Sequence, residues 1–173
     1  MQGLEQLVSD MAEQNRTRFY GKYRGIVKEV LTGSDLGKLI VQVPSVYEEE
    51  DSPAAIPCVP FAGDGHGFLF LPEVDDHVWV EFESGDVSHP VWTGFWWLDD
   101  EIPDPKGPTT RVIVTKENLK IVMDDDAKKL QLLHPGGAEI TLSDSGILIK
   151  FGSQQVEITS SGINLNNGSM QVT

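Results

Sequence analysis

Asp124, Asp125 and Asp126 stand in a row, and hard cations favour such carboxylate oxygens. A calcium-binding loop would space its ligands around a central glycine and end on a distant glutamate. Neither occurs in that register, so the triplet reads as a solvated turn. His66, in DGHG, and His77, in DDHVW, lack a third ligand at a metal-site spacing, and read as a loop residue and a strand start. Cys58 is the only cysteine, which excludes a disulfide within one chain. It lies between Ile56 and Pro60 in an apolar stretch, where a thiol is expected to be packed and inert. With 27 Asp and Glu residues any carboxylate pair could be nominated for glycosidase chemistry, so the count supports none. Trp79, Trp92, Trp96 and Trp97 have the faces to stack on sugars or bases. Trp96 and Trp97 are adjacent and must point opposite ways on a strand, one buried and the other on a subunit contact. No catalytic residue, metal or cofactor is expected.

Charge narrows the partners. The formal charge is -14, and residues 39–105 hold fifteen acids without one Lys or Arg. Nucleic-acid binding needs clustered cations, so that class of partner is excluded. Arg16, Arg18, Lys22, Arg24, Lys28 and Lys38 oppose only Glu29 and Asp35, which leaves a local positive patch near the amino-terminal end. It is either a solvated face or a docking surface for an acidic partner. The first twenty residues contain acids and no continuous apolar run, so no secretory leader is expected, and no stretch approaches a membrane span.

The elements that would carry these residues follow from periodicity. Leu4, Leu7, Val8 and Met11 recur at helical spacing, which predicts a short amphipathic helix over about 1–16, assigned with its approach to residues 1–18. Such a helix is marginal alone and needs a surface to pack on. Strands are predicted from Tyr20 to Leu31, Lys38 to Val46, Ile56 to Phe61, Phe68 to Leu71, His77 to Glu83 and Val91 to Leu98. The acidic run within residues 46–53 reads as an exposed loop. Strands of this number with turn signals between them suit a small closed barrel over residues 19–98. The stretch DDEIPDPKGPTT, residues 99–110, is a proline-rich linker.

Beyond it, short alternating strands follow at intervals of seven to ten residues over 111–173. Their apolar residues are Val112 and Val114; Leu119, Ile121 and Met123; Leu130 and Leu132; Ala138, Ile140 and Leu142. The pattern continues with Ile147, Ile149 and Phe151; Val156 and Ile158; Ile163 and Leu165; Met170 and Val172. Two or three inward side chains per strand cannot make a core. A second small barrel would be a tight fit, since strands usually run five or six residues with loops between them. The better solution is an intertwined β-helix in which each layer takes one strand from each of three chains. Its core would be Ile121, Leu132, Ile140, Leu142, Ile147, Ile149, Val156, Ile158, Ile163 and Leu165. The whole is thus all-β, apart from the helix.

The stretches GKLIVQVPSV and IPCVPFAGDGHGFLFLPEVDDHVWVEFESGDVSHPVWTGFWW resemble the barrel of the central spike proteins of contractile injection systems, the phage baseplate assembly protein V and VgrG type. Gly67 to Gly94 matches almost in full, with Asp75 where glycine is usual. The resemblance implies an OB-type Greek-key barrel followed by a trimeric β-helical needle, and a structural role linking a baseplate hub to a membrane-piercing tip. It implies assembly in the cytoplasm into a phage tail or injection particle, with membrane contact only by piercing. The large hub domain of VgrG chains does not precede this barrel, so a separate hub protein is expected, docked at Arg16, Arg18, Lys22, Arg24 and Lys28. The metal-binding His-x-His apex of certain short phage spikes is absent, which implies a PAAR-type tip protein on Met170, Gln171, Val172 and Thr173. The rival reading is a carbohydrate-binding or cell-wall-degrading OB-fold module, which would need an open cleft lined by acids and aromatic rings.

Overall fold

The computed structural model describes residues 2–172, without the side chains of residues 2, 10, 13–16 and 171. It consists of two units, Met1–Leu98 and Asp99–Thr173.

The first unit opens with helix α1, Gln2–Thr17. Leu4, Leu7, Val8 and Met11 share its apolar face as predicted, and all four are more than half exposed in the single chain. Two strands follow from alternation, β1, Tyr23–Val30, and β2, Leu39–Gln42; beyond a helical turn α2 at Pro44–Tyr47 comes the short β3 at Ile56–Pro57. A hairpin arm contains β4, Ala62–Gly63, and β5, His66–Gly67. The unit is completed by β6, His77–Phe82, and β7, Pro90–Phe95. The sheet order is β2-β1-β6-β7-β3. Bridges Leu39↔Ala55 and Gln42↔Asp51 join β2 to the chain entering β3, so the five strands close on themselves and neither side is left as an open edge.

Every second residue of these strands points inward. Val27, Leu39, Val41, Val43, Val78 and Val80 are 0% exposed, and Ala55, Phe82 and Trp92 complete the core. Gly25 sits where a Cβ would come within 2.9 Å of a Val80 methyl, so the packed interior requires a residue without a side chain there. Two polar groups are buried with partners. The Ser52 hydroxyl donates to Pro53 O and accepts from Val41 N, and Trp92 Nε1 donates to Gly37 O at 2.9 Å. Replacing Trp92 by Phe leaves that carbonyl unsatisfied and shrinks the core side chain. The expected result is a loss of about 1 to 3 kcal/mol in unfolding free energy, read from denaturant melts of the chain.

Several expectations for this unit are corrected. Phe68 to Leu71 is not a strand: Phe68 N donates to Phe61 O at the base of the hairpin arm and the residues join no sheet, because the barrel is already closed by five strands. Cys58 is exposed rather than packed: its N–H still donates to Trp92 O, but it is the next residue, Val59, that packs on the core. Only Glu48 to Asp51 of the acidic segment behaves as a surface loop, while Ser52 is buried and Tyr47 donates to Val87 O at 2.6 Å. Burial, with Asp86 nearby, pushes the Tyr47 phenol up to about 12. β7 stops at Phe95, so Trp96 is half-buried and Trp97 exposed beyond the strand's end.

The second unit is a single antiparallel meander of eight strands. They are β8, Thr110–Val114; β9, Lys120–Asp124; β10, Lys129–Leu133; β11, Ala138–Ser143; β12, Gly146–Phe151; β13, Gln154–Thr159; β14, Gly162–Leu165; and β15, Met170–Val172. Each pairs with its neighbours in sequence through tight turns, in the order β15 to β8. Turn chemistry repeats. Ser143 and Ser145 hydroxyls meet at 2.8 Å ahead of Gly146, and Thr159 and Ser161 at 2.9 Å ahead of Gly162. These belong to a sixteen-residue repeat, with Gly146, Gly152 and Ser153 recurring as Gly162, Gly168 and Ser169.

Candidate assembly interface

The register of the meander decides which side chains share a face. One column runs Arg111, Met123, Leu130, Leu142, Ile147, Ile158, Ile163, Val172, each residue directly opposite the next. The second runs Ile113, Ile121, Leu132, Ile140, Ile149, Val156, Leu165, Met170. Fifteen of these sixteen positions are aliphatic or Met, and all lie on one face, because side-chain direction alternates along every strand. The exposed ones from Ile113 to Ile163 are 37 to 45% accessible in the single chain, with Val156 and Leu165 half-buried.

All ten residues expected in the three-chain core therefore fall in these columns. Val112 and Val114 do not: pairing with Val122 and Lys120 sets them on the opposite face, and Ile113 takes the place expected of them. That opposite face is built to meet water or itself. Gln131 Nε2 donates to Thr141 Oγ1, whose hydroxyl donates to Glu139 Oε1 at 2.6 Å, and Glu157 and Asn164 continue the row.

A sheet with one largely polar face, on which only Asn164 Oδ1 is buried without a partner among the described residues, and one continuous apolar face must cover the latter. Burying one Ile or Leu side chain contributes about 1.5 to 3 kcal/mol, and each strand offers two. The columns extend over all eight strands, so the partner must itself be long, apolar and periodic. The only charged member, Arg111, stands at the first strand and pairs with Asp125 at 2.6 Å.

The acidic triplet is occupied by its own turn. Asp124 accepts from Ala127 N, Asp125 pairs with Arg111, and Asp126 accepts from the Thr109 hydroxyl. Among the described residues no three His, Cys, Asp or Glu side chains converge as metal ligands.

The positive patch is more compensated than its sequence suggested. Arg18 pairs with Asp86 at 3.5 Å, and Lys22 reaches both Glu81 and the Thr93 hydroxyl at 2.8 Å. Asp86 is held below the usual carboxylate range chiefly by hydrogen bonds from Ser88, with His89 and Arg18 adding to the effect. The Arg24 guanidinium lies 4.6 Å from the Trp96 ring centre and 5.8 Å from that of Trp79. His77 also packs on Trp96, so these rings are engaged by their own neighbours. Lys28 is exposed, and the Arg16 side chain lies outside the described residues. Of the four tip residues, Met170 and Val172 are exposed in β15. The Gln171 side chain and all of Thr173 lie outside the described residues. No helix among the described residues is long and apolar enough to cross a membrane.

Two family models match. Residues 23–97 match the type VI secretion system/phage-baseplate injector OB domain, and residues 110–171 match the phage baseplate V C-terminal trimerisation domain. Curated proteins offer no match. The first match covers the closed barrel and the second covers the meander whose apolar face calls for a long, periodic partner. That family is structural rather than enzymatic. An OB-like barrel and a trimerisation sheet in this order place the chain in the phage baseplate V family of type VI and phage baseplate proteins.

Proposed function

We propose that three copies of this chain form the central spike of a contractile tail or injection system, with the barrels toward a tube-side hub protein and the carboxyl-terminal sheets forming the piercing needle. The observation that carries this reading is the pair of apolar columns. Three sheets, one per chain, each turning its columns inward, would make a three-sided prism in which every layer takes one strand from every chain. Strand spacing of about 4.8 Å gives eight layers a length of roughly 40 Å. In that prism each chain's meander would supply one face, its strands pairing in sequence order along the needle.

Sedimentation of the chain at micromolar concentration tests the reading. A folded species of three times 19.1 kDa is expected, and a folded monomer would sink it.

The hub-facing surface is proposed at Arg18, Lys22, Arg24 and Lys28, beside α1. Reversing Arg18 and Lys22 to Glu is expected to weaken incorporation into particles while leaving the trimer intact. Exposed pairs such as these contribute only about 0.2 to 1 kcal/mol to folding. Unchanged incorporation of the double variant would refute the placement.

In the carboxyl-terminal unit, β15 is the outermost strand of the sheet, with Met170 and Val172 exposed. An apolar strand edge of this kind recruits further structure. We place a PAAR-type tip protein there. Deleting residues 168–173 is expected to preserve the trimer and abolish tip recruitment in a pull-down, and recruitment that survives would overturn it.

A further inference from the structure

We infer that the hairpin arm between β3 and β6 is a clasp that packs on the barrel of a neighbouring copy in the trimer. This rests on the trimeric reading above. Cys58 N–H still donates to Trp92 O and Val59 packs on the core, so the chain leaves the barrel after Val59 and returns at Leu71. Between them the hairpin closes with Phe68 N donating to Phe61 O and Ala62 opposite Gly67. Phe61, Phe68, Leu69 and Phe70 stay 42 to 64% exposed, and the Phe68 and Phe70 rings stack on each other at 4.4 Å. None of them contributes to the buried barrel core. Four large apolar side chains on one short projection need a covering surface.

The occupant follows from charge and tethering. From Pro53 to Pro72 the chain carries a single formal charge, Asp64, so the arm has no means of selecting a charged partner. The same unit has a second uncharged, exposed apolar stretch at the end of β7, with Phe95 and Trp97, 46 and 60% exposed. That stretch leads directly into residues 99–109 and then into β8 of the trimerisation domain. A linker of that length spans at most about 40 Å. Three copies of both surfaces are therefore held together at effective concentrations of order millimolar, high enough for a weak apolar contact to form. A second copy of this chain is the partner that the trimerisation domain guarantees and that matches the arm in chemistry.

The test uses the full chain with Cys58→Ser, Leu69→Cys and Trp97→Cys, treated with a short bismaleimide and run on a denaturing gel, with the mass of the untreated sample measured in parallel. Bands at two and three times the chain mass are expected. A trimeric sample that yields only the single-chain band overturns the clasp and leaves the trimer standing. A monomeric sample overturns both. Adding Phe68→Ser and Phe70→Ser should remove the ladder at unchanged trimer mass, and a ladder that persists would show collision rather than docking, again overturning the inference.

Discussion

Substituting Ile149 by Asn is expected to reduce the particle from three chains to one, whereas the same substitution at the adjacent Leu148 leaves it trimeric. Ile149 stands in the middle of an apolar column, opposite Ile140 and Val156. Leu148 faces the other way, between Thr141 and Glu157, where an amide has polar company. In the prism three copies of residue 149 share one layer. Each Asn there forgoes about 1.5 to 3 kcal/mol of apolar burial, and strands an amide at a further cost of about 1 to 3 kcal/mol. Over three chains that comes to about 7 to 18 kcal/mol, comparable to the whole stability of an ordinary domain. Analytical ultracentrifugation of the two variants side by side decides the matter. Equal masses for both would mean that the two faces of the sheet are not inside and outside, and the assembly proposed above would have to be abandoned.

The second large effect is expected at Gly146. Its φ is 141°, and a Cβ built there would stand 2.1 Å from the carbonyl oxygen of Ile158 and 3.1 Å from the carbonyl carbon. Both atoms are backbone of the paired strand, so neither can swing aside as a flexible side chain would. Gly146→Ala must push β12 and β13 apart where Ile147 and Ile158 pair, and it does so in all three chains of the assembly. Overpacking typically costs about 1 to 3 kcal/mol per site, so the trimer is expected to lose several kcal/mol and a large part of its thermal resistance. Gly152→Ala is the matched control. Its φ of 59° is also left-handed, yet nothing stands within 4 Å of the added methyl. Only the backbone cost of about 1 to 2 kcal/mol applies there. Thermal unfolding followed by far-ultraviolet circular dichroism should show the first variant melting well below the second. The reverse order would mean that the close approach in the turn is not a feature of the assembled protein.

Much of this architecture was legible in the residues themselves. Alternation at a period of two, punctuated by Gly, Asn, Asp and Ser, marks the strands of the carboxyl-terminal sheet after β8, because an exposed meander has no other layer to blur its pattern. The helix was equally plain from Leu4, Leu7, Val8 and Met11. The conclusion that the sheet needs other chains also came from the sequence, since two inward side chains per strand bury too little to hold a domain.

Tertiary structure decided what depends on partners distant in the chain. The run Val112, Ile113, Val114 is apolar at every position and carries no phase, so only pairing with Ile121 shows that Ile113 joins the column. The stretch from Cys58 to Leu71 is apolar enough to resemble buried strands. Val59 and Leu71 at its ends pack on the core, but Phe61 to Phe70 became an exposed arm because five other strands already close the barrel and leave no ladder for it. The cations near the amino-terminal end looked unopposed because their counterions, Glu81 and Asp86, lie some sixty residues away in sequence. Local composition determines which elements form and which face of each is apolar. Closure, register and ion pairing are set by contacts between residues far apart in the chain, and those existed only once the chain had folded.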